Sequence, residues 1–386
     1  MKDRHRKLIL FNLKIMAGVL MALVILMFYL EEAKASTTLS EDINYTEIQE
    51  VIDDIMEHGN AIDFRSYVDR LMQGKEAFSL NNIGTQLIQS IKGEVKANLG
   101  TFARLISIAL IAAIFTNLSM AFKHNQVCET GYYITYLLLF ALLMSSFVSA
   151  SVIAASAIGN ILDFMKVLVP AYCMSVGFAS GSASSLVYYE VALFMITVVD
   201  LVLIKIVIPL INFYMVIMLA NNLSKEDMLS KLAGLFETII RWLLKSLLAA
   251  VIGFQAVQGL IIPVADRVKR SALLRASQAI PGVGTAIGGV TQTVISAGVL
   301  LKNSIGVAGL VIIIIICAIP LLKLIVIALI YKCGSAALQP VSDKRMIECI
   351  SASAKSAEML LHTLFVGAVL FLLSITIVAV TTSGAI

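Results

Sequence analysis

Histidine, cysteine, proline and charge are all in short supply in this chain of 386 residues. Its four histidines stand far apart, at positions 5, 58, 124 and 362, so no histidine cluster can assemble from neighbouring sequence. The five cysteines, Cys128, Cys173, Cys317, Cys333 and Cys349, lack close metal-ligand spacing, which argues against a structural zinc site or a disulfide framework. Six prolines leave long stretches free of helix breaks. Charged residues make up only 14%, about half the share of an ordinary soluble domain. HExxH, GxSxG and the phosphate-loop lysine motif are all missing, and the serines have no plausible histidine partner. The sequence therefore nominates no catalytic residue, no metal ligand and no cofactor site.

Apolar sequence fills the space instead. Hydrophobic residues make up 59% of the chain and the mean hydropathy is +0.93. Residues 102–122, 132–157, 161–180, 186–220, 241–262, 281–300, 304–331 and 359–381 are each long enough, or nearly so, to cross a bilayer as a helix. They are too long and too continuously apolar for the alternating strands of a membrane barrel. The expected fold is all-α: a polytopic helical membrane protein with about eight mature spans and a small external helical domain.

The amino end carries Lys2, Arg4, Arg6 and Lys7 ahead of an apolar run from Leu8 to Leu30. Ala33 and Ala35 flank Lys34 in a small-x-small pattern before Ser36. Residues 1–35 read as a secretory signal peptide or an amino-terminal anchor, and both put residue 36 and its successors outside the cytoplasm. Residues 36–100 hold eleven Asp/Glu against five Lys/Arg, a net of −6, which makes a poor nucleic-acid surface. Ile48, Val51, Ile52 and Ile55 recur at helical spacing, as do Leu80, Ile83, Leu87, Ile91 and Val95. Tyr67, Val68 and Leu71 offer a third apolar patch, and Asn60, Gly74 and the Asn81-Asn82 pair suggest breaks. This acidic region reads as a thin helical domain that packs on the membrane part or on a partner; a solvated spacer is the alternative.

Residues 101–386 form the multi-span part. With residue 100 outside, eight alternating crossings put the basic segment near 264–280 in the cytoplasm, in keeping with the positive-inside rule; the alternatives are a steeply tilted 186–220 or one broken near Pro209, and a re-entrant 281–300. Arg267, Lys269, Arg270 and Arg275 of that segment suit contact with anionic lipid or with a cytoplasmic protein. In the next stretch, Gly284 and Gly288 form a GxxxG pair, while Thr285, Gly289, Gln292 and Ser296 fall on one small, polar helix face. That face either packs closely against another helix or lines a path. Asp200 and Lys205 are intramembrane polar residues that must pair, face water or sit near an interface. Five α-helical steps set them about 140° apart, so a direct pair in one straight α-helix is not expected.

Residues 263–270 (Pro-Val-Ala-Asp-Arg-Val-Lys-Arg), 280–289 (Ile-Pro-Gly-Val-Gly-Thr-Ala-Ile-Gly-Gly), 301–310 (Leu-Lys-Asn-Ser-Ile-Gly-Val-Ala-Gly-Leu) and the run from Lys323 to Pro340 with Asp343-Lys-Arg resemble the stage III sporulation protein AE family of endospore-forming bacteria. The resemblance implies a noncatalytic membrane component of a channel or secretion-like complex between mother cell and forespore. It places the chain as a multi-pass protein of the mother-cell-derived outer forespore membrane. It implies as partners the other membrane proteins of the same sporulation operon, a cytoplasmic secretion-type ATPase, a forespore protein on the facing membrane and the lipid bilayer. It transfers no catalytic residue. An autonomous secondary transporter and a purely structural scaffold are the alternative readings.

Overall fold

The computed structural model describes residues 44–56, 62–74, 80–121, 126–180, 182–223, 228–278 and 284–383, with side chains undescribed at 80–91, 116–129, 180, 182–184, 259–278, 284–294 and 381–383. The signal-like residues 1–35 lie outside the described residues. Every element among the described residues is helical.

Two short helices come first. In α1 (Thr46–Ile55), Asn44 Oδ1 accepts from Thr46 N–H at 3.1 Å, and Ile48 and Ile52 are buried one turn apart. In α2 (Phe64–Met72), the Asp63 carboxylate caps the amino end by accepting from Ser66 N–H at 3.0 Å. Gly74 comes next with φ +65°, a left-handed conformation that stops the chain at little cost for glycine. Gln49 ties the two helices together: its Oε1 accepts from Phe64 N–H and its Nε2 donates to the Ile62 carbonyl. Tyr45 and Phe64 pack ring against ring at 5.8 Å. This pair does not stand alone, since α1 rests on the long helix α4 and α2 rests on α8.

The remaining helices are long: α3 (Leu80–Ala121), α4 (Gln126–Ser180), α5 (Ser182–Val199), α6 (Ile208–Leu223), α7 (Ser230–Gln278), α8 (Gly284–Leu338) and α9 (Lys344–Ser383). A π-helical segment, Asp200–Val207, joins α5 to α6. α3 runs through residue 100 without a break. α9 is the central helix, surrounded by α8, α4, α6 and α7. Its small residues allow that closeness, and its buried hydroxyls are satisfied within the helix: Ser353, Ser356, Thr363 and Thr376 each donate to the carbonyl four residues back.

Three sequence expectations change. Residues 132–157 and 161–180 are not separate crossings, because both lie in the unbroken α4. Residues 281–300 and 304–331 do not cross and return, because residues 284–338 form the single helix α8. The expected turns do not form: Ile158, Ile161, Leu301 and Lys302 are buried in helical packing, which keeps the chain helical through Gly159-Asn160 and Asn303-Ser304 despite their turn chemistry. Among the described residues five helices are long and apolar enough to cross a membrane, where the sequence suggests about eight spans over the whole chain. The stretch 186–220 is helical throughout, and its irregularity is the π segment ahead of Pro209.

Candidate functional site

Gln255 and Gln258 lie about one turn apart on α7 and share its buried face. Gln255 Nε2 donates to the hydroxyl of Ser374 on α9. Beside them is a cavity of about 40 Å³, walled by Tyr172 and Cys173 of α4, Tyr188 of α5 and Phe371 of α9. Gln255 Oε1, Gln258 Nε2 and the Tyr172 hydroxyl are buried without a hydrogen-bond partner among the described residues. A buried water needs about 10–15 Å³ of such space and two or more polar partners, so the cavity has room and donors or acceptors for a few waters or a small polar group. Its lining contains no carboxylate and no lysine or arginine.

Lys302 lies toward one end of this site. The side chain is buried, and its Nζ donates to the Ala379 carbonyl at 3.1 Å; the preceding residue, Val378, lines the cavity. The last turns of α9 carry the negative end of that helix's dipole, which favours an ammonium. Sequence reasoning passed over Lys302 as a residue between two spans. Its signal was visible as a lone charge between apolar runs, and Gln255 and Gln258 were visible as a polar i, i+3 pair inside one.

Farther along the bundle the charges form a network. Buried Glu237 on α7 receives both Arg241 and Lys355, joining α7 to α9. Lys355 also stands 5.9 Å from the Tyr214 ring of α6. Lys332 of α8 pairs with Glu358 of α9. Near the start of α9, Asp343 accepts from the Tyr132 hydroxyl at 3.3 Å and pairs with Arg345, whose guanidinium lies 4.6 Å from the Tyr132 ring centre. Such links fix helix register more than they add stability.

Of the sequence-predicted residues, the structure brings Asp200 and Lys205 together. Their side chains meet at 2.9 Å, which corrects the expectation that five residues keep them apart. The cause is the π segment, whose i→i+5 hydrogen bonding places the fifth residue one turn above the first. Gly284, Thr285, Gly288, Gly289 and Gln292 belong to the first turns of α8, but their side chains lie outside the described residues; Ser296 is exposed. Arg267, Lys269, Arg270 and Arg275 continue α7 as helix, again with side chains outside the described residues. Among the described residues no group of three or more His, Cys, Asp or Glu is placed to hold a metal ion.

The family model described as stage III sporulation protein AE matches residues 62–382, a range that takes in α2 and nearly all of the bundle. The chain belongs to the stage III sporulation protein AE family. The curated stage III sporulation protein AE of Bacillus subtilis (strain 168) is 30% identical over 335 residues, covering 86% of this chain and 84% of that protein. No solved structure matches the chain. This sporulation family member is thus a membrane protein whose polar residues are gathered at a few points in an apolar bundle.

Proposed function

We propose that this chain is a noncatalytic membrane component of a channel or secretion-like complex between mother cell and forespore, required for sporulation. The family match across residues 62–382 carries the reading. The packing of α9 at the bundle centre supports a platform role, because a helix enclosed on several sides is suited to holding neighbours in register. Helices α1 and α2, resting on α4 and α8, present an acidic extracytoplasmic surface to partners in the intermembrane space. The basic stretch Arg267–Arg275 is suited to contact with anionic lipid or with a partner protein of the assembly. The chain resides in the mother-cell-derived outer forespore membrane.

A second reading, an autonomous secondary transporter, draws on the largely apolar cavity that Gln255, Gln258 and Tyr172 edge with a few polar groups. Reconstitution separates the two. Liposomes holding this chain alone are expected to show no solute flux, while the assembled complex does. Flux from the chain alone replaces the platform with the transporter. In cells, loss of this chain is expected to stop forespore development, and normal spore yield in its absence would rule the proposed role out.

A further inference from the structure

Three of the bundle's unmet polar groups border a single space. Gln255 Oε1 on α7, Gln258 Nε2 one turn further on, and the Tyr172 hydroxyl on α4 belong to residues walling one cavity, and each lacks a hydrogen-bond partner among the described residues. All three residues are at most 9% exposed. An amide or hydroxyl left unpaired in a protein interior is costly, so three around one space point to an occupant.

Lipid cannot supply the missing bonds. α7 has no charged residue from 246 to 265, with Gln255 midway, and α9 has none after His362. Glu237 pairs with Lys355 and Gln255 bonds Ser374, so the two helices run side by side in register and their uncharged stretches coincide. A helical run of that length rises about 30 Å, the thickness of the hydrocarbon core. The cavity therefore lies near half that depth, where the surroundings offer neither donor nor acceptor.

The lining dictates the chemistry of the occupant. It holds no carboxylate, lysine or arginine, so an ion finds no counter-charge there. An acyl chain suits the apolar walls but leaves all three polar atoms unmet. Gln255 Oε1 only accepts, Gln258 Nε2 only donates, and a tyrosine hydroxyl does both, so the matching molecule carries donor and acceptor together. Volume sets its size. One water takes about 10–15 Å³ of such space, so the 40 Å³ cavity has room for roughly three or four non-hydrogen atoms.

We propose that this cavity is a binding site for a small uncharged molecule with both a hydrogen-bond donor and an acceptor: a cluster of waters, or a solute the size of a short primary amide. The occupant donates to Gln255 and accepts from Gln258, and the Tyr172 hydroxyl completes its contacts. It links α7 to α4 at mid-depth, while Gln255 keeps its bond to Ser374 on α9. The site stands on its own residues and needs neither reading of the function given above.

X-ray radiolysis of the full chain in lipid nanodiscs tests the site, because hydroxyl radicals formed from a bound water oxidise the side chains beside it. Methionine is readily oxidised, and Met165 and Met195, which line the cavity, are buried from bulk solvent. Both are expected to be oxidised, while Met215 and Met346, buried away from the cavity, are not. Acetamide then separates the two occupants: labelling that falls on its addition shows that the site takes the solute, and labelling that holds shows water alone. Labelling of Met165 and Met195 no greater than that of Met215 and Met346 overturns the proposal. Replacing Gln255 and Gln258 together with leucine should abolish the labelling, and its survival would overturn the roles given to the two amides. Gln258→Met carries the test if the double variant does not fold. It should lower the unfolding temperature, because it removes a bond to the occupant; in a dry cavity it removes an unmet amide instead, so a temperature that holds or rises also overturns the site. Spore yield in the absence of the chain tests the role proposed above and does not bear on this cavity.

Discussion

Asp200 and Lys205 meet at 2.9 Å across one turn of π-helix in the middle of an apolar stretch. The inner face of that turn is ordinary core: Leu203 and Val207 are fully buried, and Leu203 packs over Gly367 of α9. The widened turn thus joins two demands, an apolar inner face and a neutralised outer one. Removing one charge leaves the other unmatched at depth. Asp200→Leu or Lys205→Leu should each lower stability by about 2–3 kcal/mol, while the double replacement should recover most of the loss. Thermal unfolding of the four proteins in one detergent measures the cycle; additive losses would show that the two residues are not coupled.

Glu237 is the shared acceptor of Arg241 and Lys355, so it is the weak point of that network. Glu237→Gln leaves two cations facing each other beside Tyr214 and should cost about 3–5 kcal/mol. Arg241→Leu leaves the Lys355 pair intact and should cost clearly less. Denaturation midpoints compare the two, and equal losses would refute the network's hierarchy.

Two glycines make opposite predictions. A Cβ on Gly298 would come within 2.7 Å of the Phe178 backbone carbon, where α8 lies against the backbone of α4. Gly298→Ala should therefore destabilise by about 1–3 kcal/mol, since backbone cannot give way as a flexible side chain does. Gly159 has nothing within 4 Å of its Cβ position, so Gly159→Ala should be neutral or should stabilise α4 by up to about 1 kcal/mol. The pair is checked by unfolding temperature, and a tolerated alanine at 298 would contradict the close approach.

Alkaline pH should loosen α1 and α2. Burial raises Tyr45 and Tyr67 to about 12 from an ordinary value near 10. The unfolded phenols ionise first, so this part of the stability is complete below pH 10 and declines as pH rises from about 10 toward 12. Phenolate absorbance should show these two tyrosines titrating late and together with the loss of α1–α2 packing. Tyr45→Phe should blunt the effect, and ordinary titration near pH 10 would contradict the burial.

Much of the fold was legible as pattern. Ile48 and Ile52, Asp63 as a cap and Gly74 as a stop mark α1 and α2 by local chemistry that the chain carries with it. The glycine-rich start of α8 and the basic end of α7 were equally visible, yet their side chains lie outside the described residues. The cavity was not legible. Gln255, Tyr172 and Ser374 come from three helices far apart in sequence, and only packing places them around one space.

By itself the sequence determined that this chain is helical, apolar enough to cross a membrane, and a member of its sporulation family, because hydropathy and family segments accumulate along the chain whatever it packs against. The tertiary structure decided how many helices those apolar residues make and which charges meet. Ile158 and Lys302 stay helical where a turn was expected because neighbouring helices bury them, and Asp200 reaches Lys205 because packing of Leu203 on α9 accompanies a wider turn. Those outcomes depend on contacts between distant segments, which no reading of neighbouring residues contains.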